Sequence, residues 1–277
     1  MNKMKKIDKS ILTKTIRIRP KNSFKGTYGK IALIGGNESF GGAIIMSSLG
    51  AVYSGAGLTT TITDPTNQSS LHAWLPEAMF ADYNDTDQMV QLIKSMKVIT
   101  IGSGLGTDDH SCEIMETVFD TVTPDQTLLI DGSAITMVAE RGLKLPDAKL
   151  IFTPHQMEWQ RLSGIKMADQ TEERNKAARD KIGGIVVLKS DRTEVYTPNE
   201  VYQNTTGTPA QATGGMGDTL AGIIGGFVAQ FDNEVDAVLA AVYSHSAIAD
   251  ELANTQYVVL PHQISKRLPK FMHEHEA

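Results

Sequence analysis

Cysteine is nearly absent. Cys112 is the single one in 277 residues, so no intramolecular disulfide can form. It sits in Cys112-Glu113-Ile114-Met115, which reads as helix, and a small helix residue is a plainer reading than a nucleophile. No run of about 18 apolar residues is present, as a membrane span would need. The N-terminal lysines are not followed by an apolar core, so the start is not a signal peptide, and the cytoplasm is the expected location. Positive charge is also short. Lys and Arg number 26 against 32 Asp and Glu, giving a net charge of -6 and a pI of about 5.7. Nucleic acid and anionic membrane both reward a basic surface and are not expected partners. The one basic cluster, Lys3, Lys5, Lys6 and Lys9, reads as a solvated, frayed terminus. There is no Walker A lysine motif, no CxxC and no HExxH, and seven histidines are scattered. A transition-metal site is not expected.

What is there is an ordinary globular composition, 41% hydrophobic and 21% charged, in a chain long enough to bury a core. Short apolar runs alternate with helical segments. Lys30–Ile34, Leu58–Thr63, Val98–Ile101, Leu128–Ile130, Leu150–Phe152 and Gly184–Leu188 read as strands. Ala43–Ala56, Asp109–Phe119 and Thr171–Lys181 read as helices between them. Strands Thr193–Thr197 and Val201–Gln203 follow, split by Pro198-Asn199-Glu200. Helices Met216–Gln230, Asp236–Glu251 and His262–His273 close the chain. This alternation predicts an α/β fold with a mainly parallel sheet. No linker or repeat divides residues 1–277, which are expected to form one domain. In such sheets ligands sit beyond the strands' carboxyl ends, and the glycine clusters of this chain follow strand ends.

The strongest segment is Thr213-Gly214-Gly215-Met216-Gly217-Asp218-Thr219. Glycines let a backbone approach a ligand, and the first N–H groups of a helix lack intrahelical partners. Gly214, Gly215, Met216 and Gly217 together form an anion hole. Asp218, in the first turn, is placed to take a proton from a hydroxyl attacking a phosphoryl group. By itself the segment reads as well as a plain helix start; the apolar run after Asp218 favours the site. Lys189-Ser190-Asp191-Arg192-Thr193 is either a hairpin turn or a clamp on nucleotide phosphates. In Thr153-Pro154-His155-Gln156-Met157-Glu158, Thr153 fits an N-cap, Pro154 the first helical position and Gln156 the reciprocal partner. His155 and Glu158 are left over, on one helix face: a hydrogen-bonding group for substrate and a holder of a metal-bound water. Gly35–Ala43 follows the first strand but lacks the G-x-G-x-x-G spacing, which disfavours a hydride-transferring enzyme. Gly102–Gly106 is a similar strand-to-helix loop.

Taken in order, these loops with Lys25–Lys30 and Ser54–Leu58 resemble the ADP/ATP-dependent NAD(P)H-hydrate dehydratase family of the ribokinase-like superfamily, over residues 25 to 270. The resemblance implies a ribokinase-like fold, with a central mainly parallel sheet flanked by helices on both faces. It implies phosphorylation of the hydroxyl of hydrated NADH or NADPH by ADP or ATP with Mg²⁺, followed by loss of phosphate. Carried over, Asp218 is the catalytic base. Ala43, Gly106, His155 and Asp218 contact the hydrated dinucleotide. Lys189, Ser190, Asp191, Arg192, Thr193 and Gly217 bind ADP or ATP, and Glu158 acts on Mg²⁺ through water. Sugar kinases carry Asn at the position of His155. Met216 replaces a more usual Ser or Thr, and Thr208 and Ala210 replace Asn and Gly; none of these removes a backbone N–H, so the anion hole is expected to persist. The resemblance also implies a homo-oligomer, commonly a tetramer. The stretch 1–24 is too short for the family's N-terminal epimerase domain, so a separate epimerase is expected. A small-molecule kinase on the same fold, acting on a vitamin precursor or sugar alcohol, is the alternative. A nucleotide-binding module without catalysis is a third reading, disfavoured by the intact Gly217-Asp218 pair.

Overall fold

The computed structural model describes residues 4–277; Lys3 of the basic cluster lies outside them. Ten strands join in one sheet: β1 (Lys5–Ile7), β2 (Lys30–Ile34), β3 (Leu58–Thr63), β4 (Met79–Asp82), β5 (Val98–Ile101), β6 (Thr127–Ile130), β7 (Lys149–Phe152), β8 (Ile185–Leu188), β9 (Glu194–Tyr196) and β10 (Val201–Asn204). Their order is β1-β10-β9-β8-β7-β6-β5-β2-β3-β4. Neighbours are parallel except where β9 pairs antiparallel with β8 and β10. The central strands are apolar throughout because both faces are covered. In β2, Ile31 and Leu33 face one core while Ala32 and Ile34 face the other, as the two-residue period of a strand requires.

One face carries α1 (Ser10–Thr15), α2 (Gly41–Tyr53), α3 (Gln68–Trp74), α9 (Met216–Gln230), α10 (Glu234–Ala253) and α11 (Pro261–His273). The other carries α4 (Thr86–Lys94), α5 (Asp109–Thr121), α6 (Gly132–Arg141), α7 (Gln156–Ser163) and α8 (Glu172–Ile182). Helix α9 is apolar and small on all sides because it is buried on all sides, from Thr219 to Ala229. Gly222 serves that packing: a methyl there would lie 1.8 Å from the Ser47 carbonyl oxygen of α2.

Lys5, Lys6 and Lys9 do not lie on a frayed tail. Lys5–Ile7 pairs with β10 as an edge strand, Lys5 reaches Glu200 at 2.9 Å, and Leu12 is fully buried. Ile7 and Ile16 supply the apolar anchors that the lysines between them obscure.

The chain runs β2, β3, β4 outward in one direction, then returns to β5 and builds the other way. The loops after β2 and β5 therefore diverge at a topological switch point, where open α/β sheets form their ligand crevice.

Candidate active site

Six loops meet at the carboxyl ends of the strands, those after β2, β5, β6, β7, β8 and β10. The loops after β2 and β5 are stitched together: Gly36 N–H donates to the Ser103 carbonyl (2.9 Å) and Asn37 N–H to the Gly104 carbonyl (2.8 Å). Asn67 Nδ2 holds the Gly36 carbonyl at 2.8 Å from behind. Ala43 stands in the first turn of α2, just past the first of these loops, and Gly106 on the second. The Gly106 N–H donates to Ser133 Oγ (3.1 Å), at the start of α6.

At α9, Gly215 is the N-cap in a left-handed conformation (φ 89°), and no side chain caps the helix. Its first-turn N–H groups are free to bind an anion. Nothing lies within 4 Å of a methyl built on Gly214, so the loop faces open space there. A methyl on Gly217 would sit 3.1 Å from Lys189 Nζ. The missing side chain brings the lysine's ammonium against the helix start, adding a full charge to the helix's partial one.

Lys189 connects this end to the sheet. Its ammonium donates to Asp131 Oδ1 (3.1 Å) and lies 4.0 Å from Glu158 Oε2. Burial opposes its charge, but Asp131, Glu158 and Asp218 outweigh burial and hold its pKa above the ordinary value. Asp131 is 2% exposed. It also accepts from Thr153 Oγ1 (2.7 Å), and Ser103 Oγ lies 3.4 Å from its second oxygen. Burial, then repulsion from Asp131, raise the Asp218 pKa to about 6, against opposition from Lys189 and a Ser103 hydrogen bond. A carboxylate of that basicity is charged at neutral pH and accepts a proton far more readily than an exposed Asp.

The helix start at His155 corrects the sequence reading. Thr153 is not the cap; its hydroxyl is spent on Asp131. His155 is the N-cap: its Nδ1 accepts from the N–H groups of Met157 (3.1 Å) and Glu158 (3.2 Å). Glu158 Oε2 in turn accepts from the His155 N–H (2.7 Å), so the two residues left over by the sequence reading form the capping box. This fixes the tautomer. Nδ1 is an acceptor, so neutral His155 carries its proton on Nε2, and burial followed by Lys189 keeps its pKa low. The ring is half exposed, 53%, with Nε2 3.5 Å from Glu158 Oε1 and open to solvent on its other side. Glu158 is buried, and burial raises its pKa.

A cavity of about 700 Å³ adjoins the cluster, lined by Lys189 to Thr193, Thr206 to Pro209, Gln211, Met216, Gly217 and His245. The volume suits a nucleotide. The Lys189–Thr193 segment is thus a hairpin that also forms a cavity wall. Thr208 caps the opposite loop, accepting from the Ala210 N–H (3.2 Å); Ala210 O receives the Val259 N–H (2.8 Å). Of the three unusual residues, Thr208 and Met216 line the cavity, while Ala210 supports the loop from behind. A cavity of about 770 Å³ opens at the strands' amino ends, around Arg17, Arg19, Tyr53 and Gln230, and shares no residue with this cluster.

The structure brings together Ala43, Gly106, His155, Glu158, Lys189 and Asp218, each at a strand's carboxyl end or the helix start beyond it. Sequence reasoning passed over Asp131, though it ends β6 before a glycine as the other loops do. It also passed over His245, which carries no local signal within an apolar helix. His245 is 3% exposed, its Nε2 has no partner, and burial then Lys189 lower its pKa to about 4.

The sheet order, the uncapped glycine-rich helix start and the carboxylate beside it are the features expected of the ribokinase-like class. A family model described as NAD(P)H-hydrate dehydratase matches residues 31–270. A relative from Lactiplantibacillus plantarum, an ADP-dependent (S)-NAD(P)H-hydrate dehydratase, is 57% identical over 98% of this chain and 97% of its own length. A ribokinase-like superfamily protein from Enterococcus faecalis superposes with a TM-score of 0.98 at 46% identity, covering 100% of this chain and 98% of the other. The ADP/ATP-dependent NAD(P)H-hydrate dehydratase of Bacillus subtilis, crystallised with ATP and Mg²⁺, gives 0.89 at 27% identity, with both chains covered completely. The chain belongs to the NAD(P)H-hydrate dehydratase family.

Proposed function

We propose that this protein repairs hydrated NADH and NADPH, using ADP or ATP to phosphorylate the hydrate's hydroxyl and then expelling phosphate. One observation carries the reading: Asp218, a carboxylate with its pKa raised to about 6, stands at the uncapped start of α9 with Lys189 at its side.

The hydroxyl of the hydrated ring lies against Asp218, which removes its proton as the oxygen attacks the terminal phosphoryl group of the donor. A new O–P bond forms while the bridging P–O bond breaks, and ADP leaves as AMP or ATP as ADP. Charge developing on the transferred group is met by the N–H groups of Gly215 to Gly217 and by the Lys189 ammonium. The carbon–oxygen bond then breaks with the ring nitrogen's electron pair behind it. The neighbouring carbon loses a proton, and the ring double bond returns. Phosphorylation turns hydroxide, a poor leaving group, into phosphate, a good one.

The residues present fit Mg²⁺. Three acidic side chains, Asp131, Glu158 and Asp218, surround one ammonium, an excess of negative charge suited to a hard cation. No group of three His, Cys, Asp or Glu among the described residues closes a cage, so phosphate oxygens and water would complete its shell, with Glu158 holding one water. When bound, the ion neutralises phosphate charge. On the acceptor side, Ala43, Gly106 and the Nε2–H of His155 contact the dinucleotide. On the donor side, Lys189 to Thr193 and Gly217 hold the nucleotide. We also read the protein as a cytoplasmic homotetramer paired with a separate epimerase. No helix among the described residues is long and apolar enough to cross a membrane.

The test is nucleotide- and Mg²⁺-dependent return of the near-ultraviolet absorbance of reduced nicotinamide from prepared hydrate. No return with either ADP or ATP refutes the proposal. A stable phosphorylated product, seen by mass, would point to a small-molecule kinase instead.

A further inference from the structure

Phe40 is 61% exposed, although it sits on a loop with no freedom to display it by accident. Its N–H donates to the carbonyl (3.1 Å) and side-chain oxygen (3.0 Å) of Asn37, and its carbonyl accepts the Ala43 N–H (3.1 Å). The next loop presses on it from beneath. Gly104 is left-handed (φ 66°), and a methyl there would lie 2.5 Å from the Phe40 carbonyl oxygen, 3.0 Å from its Cβ and 2.9 Å from the Ala43 methyl. The backbone is clamped and the ring stands out. Beside it, nothing lies within 4 Å of a methyl built on Gly42, so the ring borders open space.

Two other exposed aromatics have local partners: Trp74 has the His262 ring at 5.8 Å and the Lys266 ammonium at 5.6 Å, and Phe24 lies across Gly26. Tyr257 is fully exposed and has none among the described residues, but it lies outside the strand-end loops of the site. Phe40 has no ring or cation partner among the described residues. A phenyl ring carried on a clamped backbone, next to Ala43 and one loop from Gly106, forgoes the burial that such a ring normally gains. It gains that burial when a flat ring covers it.

We propose that Phe40 is a binding residue for the acceptor, its ring forming the stacking surface for the adenine end of the hydrated dinucleotide. This rests on the contact of Ala43 and Gly106 with the hydrated dinucleotide proposed above. Two chemical facts choose the adenine. The hydrated nicotinamide ring has tetrahedral carbons and offers no flat aromatic face, whereas adenine is planar. The reacting ring must also sit at Asp218, inside the crevice, while Phe40 stands in solvent. The two ends of one dinucleotide therefore divide between the two residues.

The experiment compares wild type, Phe40→Ala and Phe40→Trp. Calorimetry measures binding of two ligands: hydrated NADH, and the hydrate of reduced nicotinamide mononucleotide, which lacks adenine. Phe40→Ala is expected to weaken hydrated NADH on the order of tenfold to a hundredfold, the loss typical of removing an aromatic from under a base. Phe40→Trp should bind it as well as wild type. All three should bind the mononucleotide hydrate alike, and the KM for ADP should be unchanged. Equal binding of hydrated NADH by wild type and Phe40→Ala overturns the proposal, as does an equal weakening of both ligands. If wild type binds the hydrate but never turns it over, the catalytic reading fails and the affinity ratio still decides for or against Phe40. If wild type binds no hydrate, both fall.

Discussion

Replacing Asp218 by Asn should make the protein more stable while nearly abolishing its activity. The folded pKa is raised from 3.8 to about 6, chiefly by burial. Between those two values the folded carboxyl holds a proton that the unfolded one has released. Stability therefore falls as pH rises across that window, and the penalty is complete above about pH 6. A shift of roughly two units corresponds to about 3 kcal/mol at 1.36 kcal/mol per unit. Asn keeps the shape and cannot ionise, so it removes the penalty. Urea unfolding of both proteins from pH 4 to pH 8 should show no difference at the acid end and a gain approaching about 3 kcal/mol for the variant at the alkaline end, with similar m-values. Activity should drop on the order of 10²–10⁴, the usual contribution of a positioned base. The wild-type rate should fall about tenfold per pH unit below about 6. No stability gain at pH 8, or a gain that does not depend on pH, would refute the reasoning. So would a rate that stays flat well below pH 6.

Asp131→Asn removes a charge that raises the Asp218 pKa and frees Lys189, which lowers it. The acid limb of the pH–rate profile should move downward and the KM for nucleotide should rise; an unmoved limb counts against this role for Asp131. Lys189→Met should do the reverse to the limb, moving it upward, while also raising the nucleotide KM. His245 is buried with its pKa lowered to about 4, so it contributes an acid sensitivity: stability falls as pH drops from 6.5 towards 4, because the unfolded chain takes up the proton first. His245→Gln should flatten that part of the stability profile in denaturant titrations. Trp159 is fully buried and donates to Asn175 Oδ1 at 2.8 Å; Asn175 Nδ2 in turn donates to the Tyr196 hydroxyl at 3.1 Å. Trp159→Ala should cost about 3–5 kcal/mol in unfolding experiments and loosen the helix that begins at His155.

The strands buried on both faces were legible because nothing competes with their apolar runs, and the glycine loops because each follows such a run. Other elements were not. Met79–Asp82 forms a short edge strand whose register comes from β3 alone, and its own residues alternate too weakly to announce it. The strand Lys5–Ile7 was hidden by the lysines around its one buried residue. At the site, Asp218 and Lys189 could be read from their neighbours along the chain. The role of Asp131 could not, because its partners Ser103, Thr153 and Lys189 come from three other strand ends. The capping box was placed two residues early because Thr and Pro are commoner at helix starts than His. Only the tertiary use of the Thr153 hydroxyl reveals that it was unavailable.

The lone antiparallel strand, β9, has a consequence for how this enzyme can change. The loops after β2 and β5 are strand-to-helix turns locked to one another, and lengthening either would displace a helix that packs against the sheet. Lys189–Thr193 is the tip of a hairpin between β8 and β9, so extra residues there would leave the strand pairing below intact. On the proposed assignment, the donor side can therefore take insertions, while the acceptor side is held still by the architecture around it.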